Sequence, residues 1–158
     1  MLDKSEKELR GTFGKFATGV AAITFVSSKG LKLGITINSY TSLSLNPPMI
    51  LWCLDKVSDL YQEIISLDNY IINFLSDSQK DVAHLLSQKN DHSLESIDCI
   101  QDEKGIKIKN CIGWISCSKD KSIDSGDHSI LIANVIDYSI NKGNPLIFWE
   151  SSYRSISE

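Results

Sequence analysis

No stretch of this sequence approaches the roughly 20 consecutive apolar residues that a bilayer-spanning helix needs. Nor is there a dense block of Lys or Arg: 16 basic residues against 20 acidic ones leave a formal net charge of −4. Without a basic stripe to follow phosphates, neither nucleic acid nor an anionic membrane is expected as the main partner. Cysteine occurs only four times, as Cys53, Cys99, Cys111 and Cys117. No two of these form a C-x-x-C pair and no histidine stands at zinc-ligand spacing, so neither a metal centre nor a disulfide framework is expected. Met1 to Arg10 is charged and polar and lacks the apolar core of a signal peptide, which makes a reducing cytoplasm the expected location. Also missing are a Gly-rich phosphate loop, the paired carboxylates of glycoside chemistry, and a nucleophile with an adjacent base.

What remains is an ordinary globular composition, 42% hydrophobic and 23% charged over 158 residues, enough for one domain with its own core, residues 1–158. Asp3 to Phe16 carries Leu9, Phe13 and Phe16 among charges and reads as a short amphipathic helix, with Leu2 just before it. Val20 to Val26 reads as a buried strand, Ser27 to Gly30 as a hairpin turn, and Leu31 to Asn38 as the returning strand. Tyr40 to Leu45 alternates, Asn46-Pro47-Pro48 breaks any ladder, and Met49 to Leu54 is a third strongly apolar strand. Ser58 can cap a helix bearing Leu60, Tyr61, Ile64 and Ile65, and Tyr70 to Leu75 is another buried strand. A helix opens at Asp77 or Ser78, and Gln88 to Glu103 reads as a long polar surface loop. Cys111 to Ser118, His128 to Tyr138 and Leu146 to Trp149 complete the pattern. About seven strands and three helices without regular alternation argue against a doubly wound sheet. The expected class is mainly β with peripheral helices, an antiparallel barrel.

Three places can carry chemistry. Thr36 to Ser44 sets six small hydrogen-bonding side chains within nine residues directly after a strand, which suits a flat polar ligand but equally a Thr/Ser-rich edge strand. Ser125-Gly126-Asp127-His128 delivers an imidazole to the start of an apolar strand, where it can hold a substrate or simply follow a surface turn. Asp55-Lys56-Val57-Ser58 stands at a strand-to-helix junction, where a Ser and a Lys can cradle a phosphate or merely cap the helix. His84 and His92 are expected to be solvated, and Cys53 to belong to the core.

The same three places, in the same order, resemble the flavin reductase-like family, the small reductase components of two-component flavin monooxygenases on an FMN-binding split barrel. Phe13-Gly14-Lys15-Phe16-Ala17-Thr18-Gly19-Val20 resembles the family's opening Phe-x-x-Phe-Ala-Thr-Gly-Val. Gly34 to Pro48 is similar to its central signature almost position for position, and Cys53 to Lys56, Ile72 to Leu75 and Gly126 to His128 follow in the expected places. The resemblance implies FMN or FAD as flavin and NADH or NADPH as donor. It implies flavin contacts from Thr36, Ile37, Asn38, Ser39 and Ser42, and a phosphate end near Cys53, Leu54, Asp55, Lys56 and Ser58. Phe74 would pack near the ring, His128 would place the nicotinamide as the catalytic residue, and Tyr153 and Arg154 would touch the dinucleotide. It further implies a homodimer and a transient monooxygenase partner. In this chain Val57 precedes Ser58 where many relatives have consecutive serines, which removes one hydroxyl from the phosphate end. A flavin-binding electron carrier would keep Thr36 to Ser44 and leave His128 and Arg154 idle.

Overall fold

A computed structural model describes residues 5–156, so the sequence reading at Leu2, Asp3 and Lys4 lies outside the described residues. In chain order the elements are α1 (Glu6–Phe13), β1 (Thr18–Gly19), β2 (Ala21–Val26), β3 (Lys32–Ile37), β4 (Thr41–Leu45), β5 (Pro48–Asp55), α2 (Tyr61–Ser66) and β6 (Asn69–Phe74). A 3-10 turn (Asp77–Gln79) leads into α3 (Lys80–Leu85), then β7 (Cys99–Asp102), β8 (Gly105–Ile108), β9 (Gly113–Ser125), β10 (His128–Ile140), β11 (Ile147–Trp149) and β12 (Ser152–Arg154). Seven strands form one sheet in the order β3-β2-β6-β9-β10-β5-β4, every pairing antiparallel. Its two edges, β3 and β4, are joined by only Asn38, Ser39 and Tyr40, so the sheet must curl until its edges meet. They meet without a ladder between them. The result is the expected barrel with a seam, split rather than closed.

Alternation places Ile50, Trp52 and Leu54 of β5 inside the barrel, with Leu51, Cys53 and Asp55 half-buried on the other face. The Trp52 indole N–H donates to the Tyr70 hydroxyl at 3.0 Å, and the rings meet edge-on at 5.8 Å. β2 is buried on both faces, because a second core lies outside the barrel between β2, β6, α3 and β8. Asn73, fully buried, donates to the Ala22 carbonyl and the Thr24 hydroxyl and accepts from the Ile108 N–H, while Thr24 donates to the Ile106 carbonyl. These satisfied polar groups lock β8 onto the wall, each bond worth about 1 kcal/mol net. Gly34 stands where β3 passes under this core: a Cβ would meet Leu94 Cδ2 at 3.1 Å and the Ile23 carbonyl at 3.2 Å.

Several sequence expectations are corrected. Ser58 is not a helix cap: α2 starts at Tyr61 after Leu60, and the Ser58 hydroxyl instead accepts from the Leu60 N–H in a local turn. His92 is not solvated but 8% exposed, with Nδ1 at 3.2 Å from the Gly34 carbonyl and Nε2 at 2.8 Å from Asp59. Burial pushes the Asp59 carboxyl up, but hydrogen bonds from the Asn90 N–H and His92 outweigh it and hold it below the usual range. Gln88 to Glu103 is therefore pinned, and its end forms the hairpin β7–β8. Asn46-Pro47-Pro48 turns the chain, with a cis bond at Asn46–Pro47, yet the ladder resumes at once with Leu45 opposite Pro48. α1 carries a Ser5/Glu8 capping box but buries none of its residues, leaving Phe13 and the nearby Phe16 exposed.

All four cysteines are free thiols, and burial pushes Cys111 and Cys117 up to about 12. Among the described residues no helix is long and apolar enough to cross a membrane.

Candidate functional site

At the seam the barrel opens into a cleft of about 360 Å³, within the ordinary range of ligand pockets, about 300–1,000 Å³. Phe16, Thr18 and Gly19 come from the entry to the barrel, Asn38 and Thr41 from the corner between β3 and β4, and Phe74 from the end of β6. Phe74 is held edge-on against Tyr40, with centroids 4.9 Å apart at 75°. Two polar groups here are conspicuous. The Thr18 Oγ1 is buried with no hydrogen-bond partner among the described residues. Asn38, next to the seam, is exposed, and its amide takes no part in the hydrogen bonds of the described chain.

The other polar side chains of the corner are already engaged. Thr36 turns away, its hydroxyl donating to the Ala83 carbonyl at 2.8 Å and its N–H to the Leu86 carbonyl, so it holds α3. Ser39 accepts from the Cys53 N–H at 3.0 Å and donates to the Cys53 carbonyl at 3.1 Å. Ile37 and Leu54 are core side chains at 8% and 2% exposure, so any ligand contact from them is confined to the backbone. Burial pushes the Cys53 thiol up, which removes it as a nucleophile at neutral pH.

Two residues along β5 from Cys53, about 7 Å, Asp55 faces His128 across the β5–β10 ladder. Gly126, at φ +59, turns the β9–β10 hairpin where a side chain would be strained. Lys56 stitches this tip to β5: its N–H donates to the Asp127 carbonyl, its ammonium to the Gly126 carbonyl at 3.2 Å, and it pairs with Asp124 at 3.5 Å. Beneath the tip, the Ser129 hydroxyl donates to Asp124 at 2.7 Å, so the Tyr61 hydroxyl, also 2.7 Å away, must donate to Ser129. The Ser129 hydrogen bond and then the Lys56 charge hold the Asp124 carboxyl below its usual range. His128 Nδ1 lies 2.8 Å from the Asp127 carboxylate, which can only accept, so Nδ1 carries the proton and Nε2 of the neutral ring is an acceptor.

Similarity to known proteins gives the family. Residues 13–157 match the family described as flavin reductase like domain. This chain belongs to that family. It is 33% identical over 84% of its length to the reductase component of the flavin-dependent trigonelline monooxygenase of Acinetobacter baylyi, but spans only 43% of that protein. It is 31% identical to HsaB, the reductase subunit of a flavin-dependent monooxygenase of Mycobacterium tuberculosis, covering 95% of this chain and 82% of HsaB. Among solved structures, the Streptomyces globisporus NADH:FAD oxidoreductase SgcE6, bound to NAD and FAD fragments, superposes with a TM-score of 0.91 at 25% identity. That match covers 99% of this chain and 96% of SgcE6.

Within this flavin reductase-like chain, the fold thus gathers Asn38, Ser39 and Phe74 at the seam, and Asp55, Lys56 and His128 at the tip. Ser58 stays in the turn just beyond Lys56, its hydroxyl taken by the Leu60 N–H. Ser42 faces an adjoining apolar groove that shares Tyr40, Phe74 and Ile112 with the cleft. Tyr153 and Arg154 lie apart on the small sheet β1-β11-β12, Tyr153 against Phe148 and Arg154 6.0 Å over Trp149. Thr41 falls within the expected stretch Thr36 to Ser44, whereas Phe16 and Thr18 were missed as lining residues. Both stand in the family-like opening Phe-Ala-Thr-Gly, which the pairing of Ala21 with Ile37 and Phe74 brings beside the corner.

Proposed function

We propose that this chain is a flavin reductase that uses NADH or NADPH to reduce FMN or FAD for a partner monooxygenase. The observation that carries it is the seam cleft, lined by Thr18 with its unpartnered buried hydroxyl, by Asn38 with its uncommitted amide, and by Phe74. A buried hydroxyl without a partner costs roughly 1–3 kcal/mol, which a polar ligand edge would recover. The donor set fits a flavin: apolar walls for a flat ring system, a hydroxyl and an amide for its polar edge. When bound together, flavin and nicotinamide supply the chemistry, a hydride passing from nicotinamide C4 to flavin N5.

The protein's own part is binding and alignment. Tyr40 fixes the Phe74 wall, Asn38 offers both a donor and an acceptor, and Asp127 orients the His128 ring so that Nε2 can receive a carboxamide N–H. Neither a nucleophile nor a strong base is needed. Lys56, with Ser58 in the turn beyond it, gives the phosphate end, and Tyr153 and Arg154 offer a further contact to the dinucleotide.

The site is read as completed by a second copy. The groove beside the cleft has a volume of about 580 Å³ and carries Leu45 at 93%, Tyr138 at 66% and Ile140 at 84% exposure. Monomers rarely leave such an apolar patch open, and a two-fold pairing would cover it and wall the cleft at Tyr40 and Phe74. Four free thiols accord with a cytoplasmic location. The test is steady-state kinetics of the purified chain with both flavins and both nicotinamide nucleotides. Nucleotide oxidation that depends on added flavin supports the reading, and a yellow protein indifferent to NADH and NADPH would instead be an electron carrier.

A further inference from the structure

Pairing across β4 and β5 sets Thr41 opposite Leu51 and Ser42 opposite Ile50, so continuing the register brings Ser39 opposite Cys53. In an uninterrupted antiparallel ladder the two backbones would exchange hydrogen bonds there. Instead both backbone groups of Cys53 are taken by the Ser39 side chain, its hydroxyl accepting from the N–H at 3.0 Å and donating to the carbonyl at 3.1 Å. A side chain interposed between backbones holds them a hydroxymethyl group further apart than a ladder does. Pairing ends here, the seam opens, and the chain is nonetheless fixed. On the other side of Asn38, Ile37 is buried in the barrel and still in register with Ala21. Asn38 is thus clamped between an apolar anchor and a two-bond polar one, with its own amide left uncommitted.

We infer that Ser39 is a positioning residue that orders Asn38 for the flavin through Cys53, rather than a flavin ligand itself. The single hydroxyl proton is spent on the Cys53 carbonyl, so Ser39 has none to give a ligand. Its role is that of a preorganised support, whose loss frees the corner and weakens every contact Asn38 makes. The inference rests on the proposed flavin cleft.

A double-mutant cycle read by flavin fluorescence quenching, with no turnover involved, tests it. Asn38→Ala and Ser39→Ala should each raise the flavin Kd about 2- to 13-fold, the range for one ordinary hydrogen bond. In the Asn38→Ala background, Ser39→Ala should add less than about a factor of two, the usual limit of independent behaviour. Ser39→Thr, which retains the hydroxyl, should restore affinity. Should Ser39→Ala not fold, Ser39→Cys, a weak donor, carries the same comparison. Additive losses would overturn the inference and make Ser39 a direct ligand. A lowered Tm with unchanged Kd would also overturn it, leaving a merely structural role. An unchanged Kd in Asn38→Ala would instead overturn the cleft reading and this inference with it.

Discussion

The seam corner and the hairpin tip both present polar side chains beside β5, yet different forces hold them. At the corner the anchors are bonds to backbone groups: Ser39 on Cys53 and Thr36 on Ala83, beside a buried Ile37. At the tip the anchors are largely exposed charges: the Lys56 and Asp124 side chains are 34% and 71% exposed, and the Asp127 side chain 90%. Exposed ion pairs are worth about 0–1 kcal/mol and weaken with salt, whereas backbone bonds in a half-buried corner do not. The Tyr61–Ser129 hydroxyl pair and the bond from the Lys56 N–H to the Asp127 carbonyl root the tip in the barrel. The corner is therefore the more preformed and the tip the more adjustable, which suits the flavin edge proposed for the one and the nicotinamide contact proposed for the other.

The largest expected effect tests the proposed second copy beside the seam corner. Leu45→Asp with Ile140→Asp should weaken self-association at least about tenfold, since each buried apolar side chain contributes roughly 1.5–3 kcal/mol. Light scattering at micromolar concentration checks it. A stable dimer in the double variant would place the interface elsewhere.

Next, Thr18→Val probes the preformed side alone. Replacing an unpartnered hydroxyl with a methyl group should stabilise the flavin-free protein by up to about 1 kcal/mol while raising the flavin Kd about 2- to 13-fold. Stability and affinity moving in opposite directions is the signature. If unfolding and flavin titrations move together, the hydroxyl serves the fold.

His128→Ala probes the adjustable side. It should raise the NADH KM or lower kcat, with the flavin Kd constant, and His128→Asn should retain more activity than alanine. Equal NADH kinetics in wild type and His128→Ala would return the histidine to the role of a turn residue. The smallest effect belongs to Asp124→Asn. It should shift NADH kcat/KM by less than about fivefold, equivalent to an exposed pair of about 1 kcal/mol, and the difference should vanish at high salt. A salt-independent effect would mean the tip is as rigid as the corner.

The barrel strands were legible because they carry buried apolar runs: Val20 to Val26, Met49 to Leu54 and Tyr70 to Leu75 all fall on or within a residue or two of β2, β5 and β6. The hairpin β7–β8 was not, since its turn is Asp102-Glu103-Lys104-Gly105 and its buried Lys107 reads as a surface charge. Only tertiary contact, an ammonium 4.2 Å from the Trp114 ring centroid and bonded to Asp102, makes it a core residue. His92 was misread for the same reason, its partners Gly34 and Asp59 being 58 and 33 residues distant. At the site, the residue types of the corner and the tip could be read from spacing and family resemblance. Which hydroxyls were already spent could not, because Thr36, Ser39 and Ser58 differ only in the backbone groups that folding brings against them.

Anaerobic mixing of the flavin-loaded protein with NADH and, separately, NADPH, following the loss of oxidised-flavin absorbance, decides between reductase and carrier. The expected result is that the purified chain needs added flavin, that its absorbance then bleaches at a rate set by the concentration of at least one nucleotide, and that His128→Ala slows this phase without releasing flavin. A chain that keeps its flavin through purification and stays yellow with both nucleotides would contradict it.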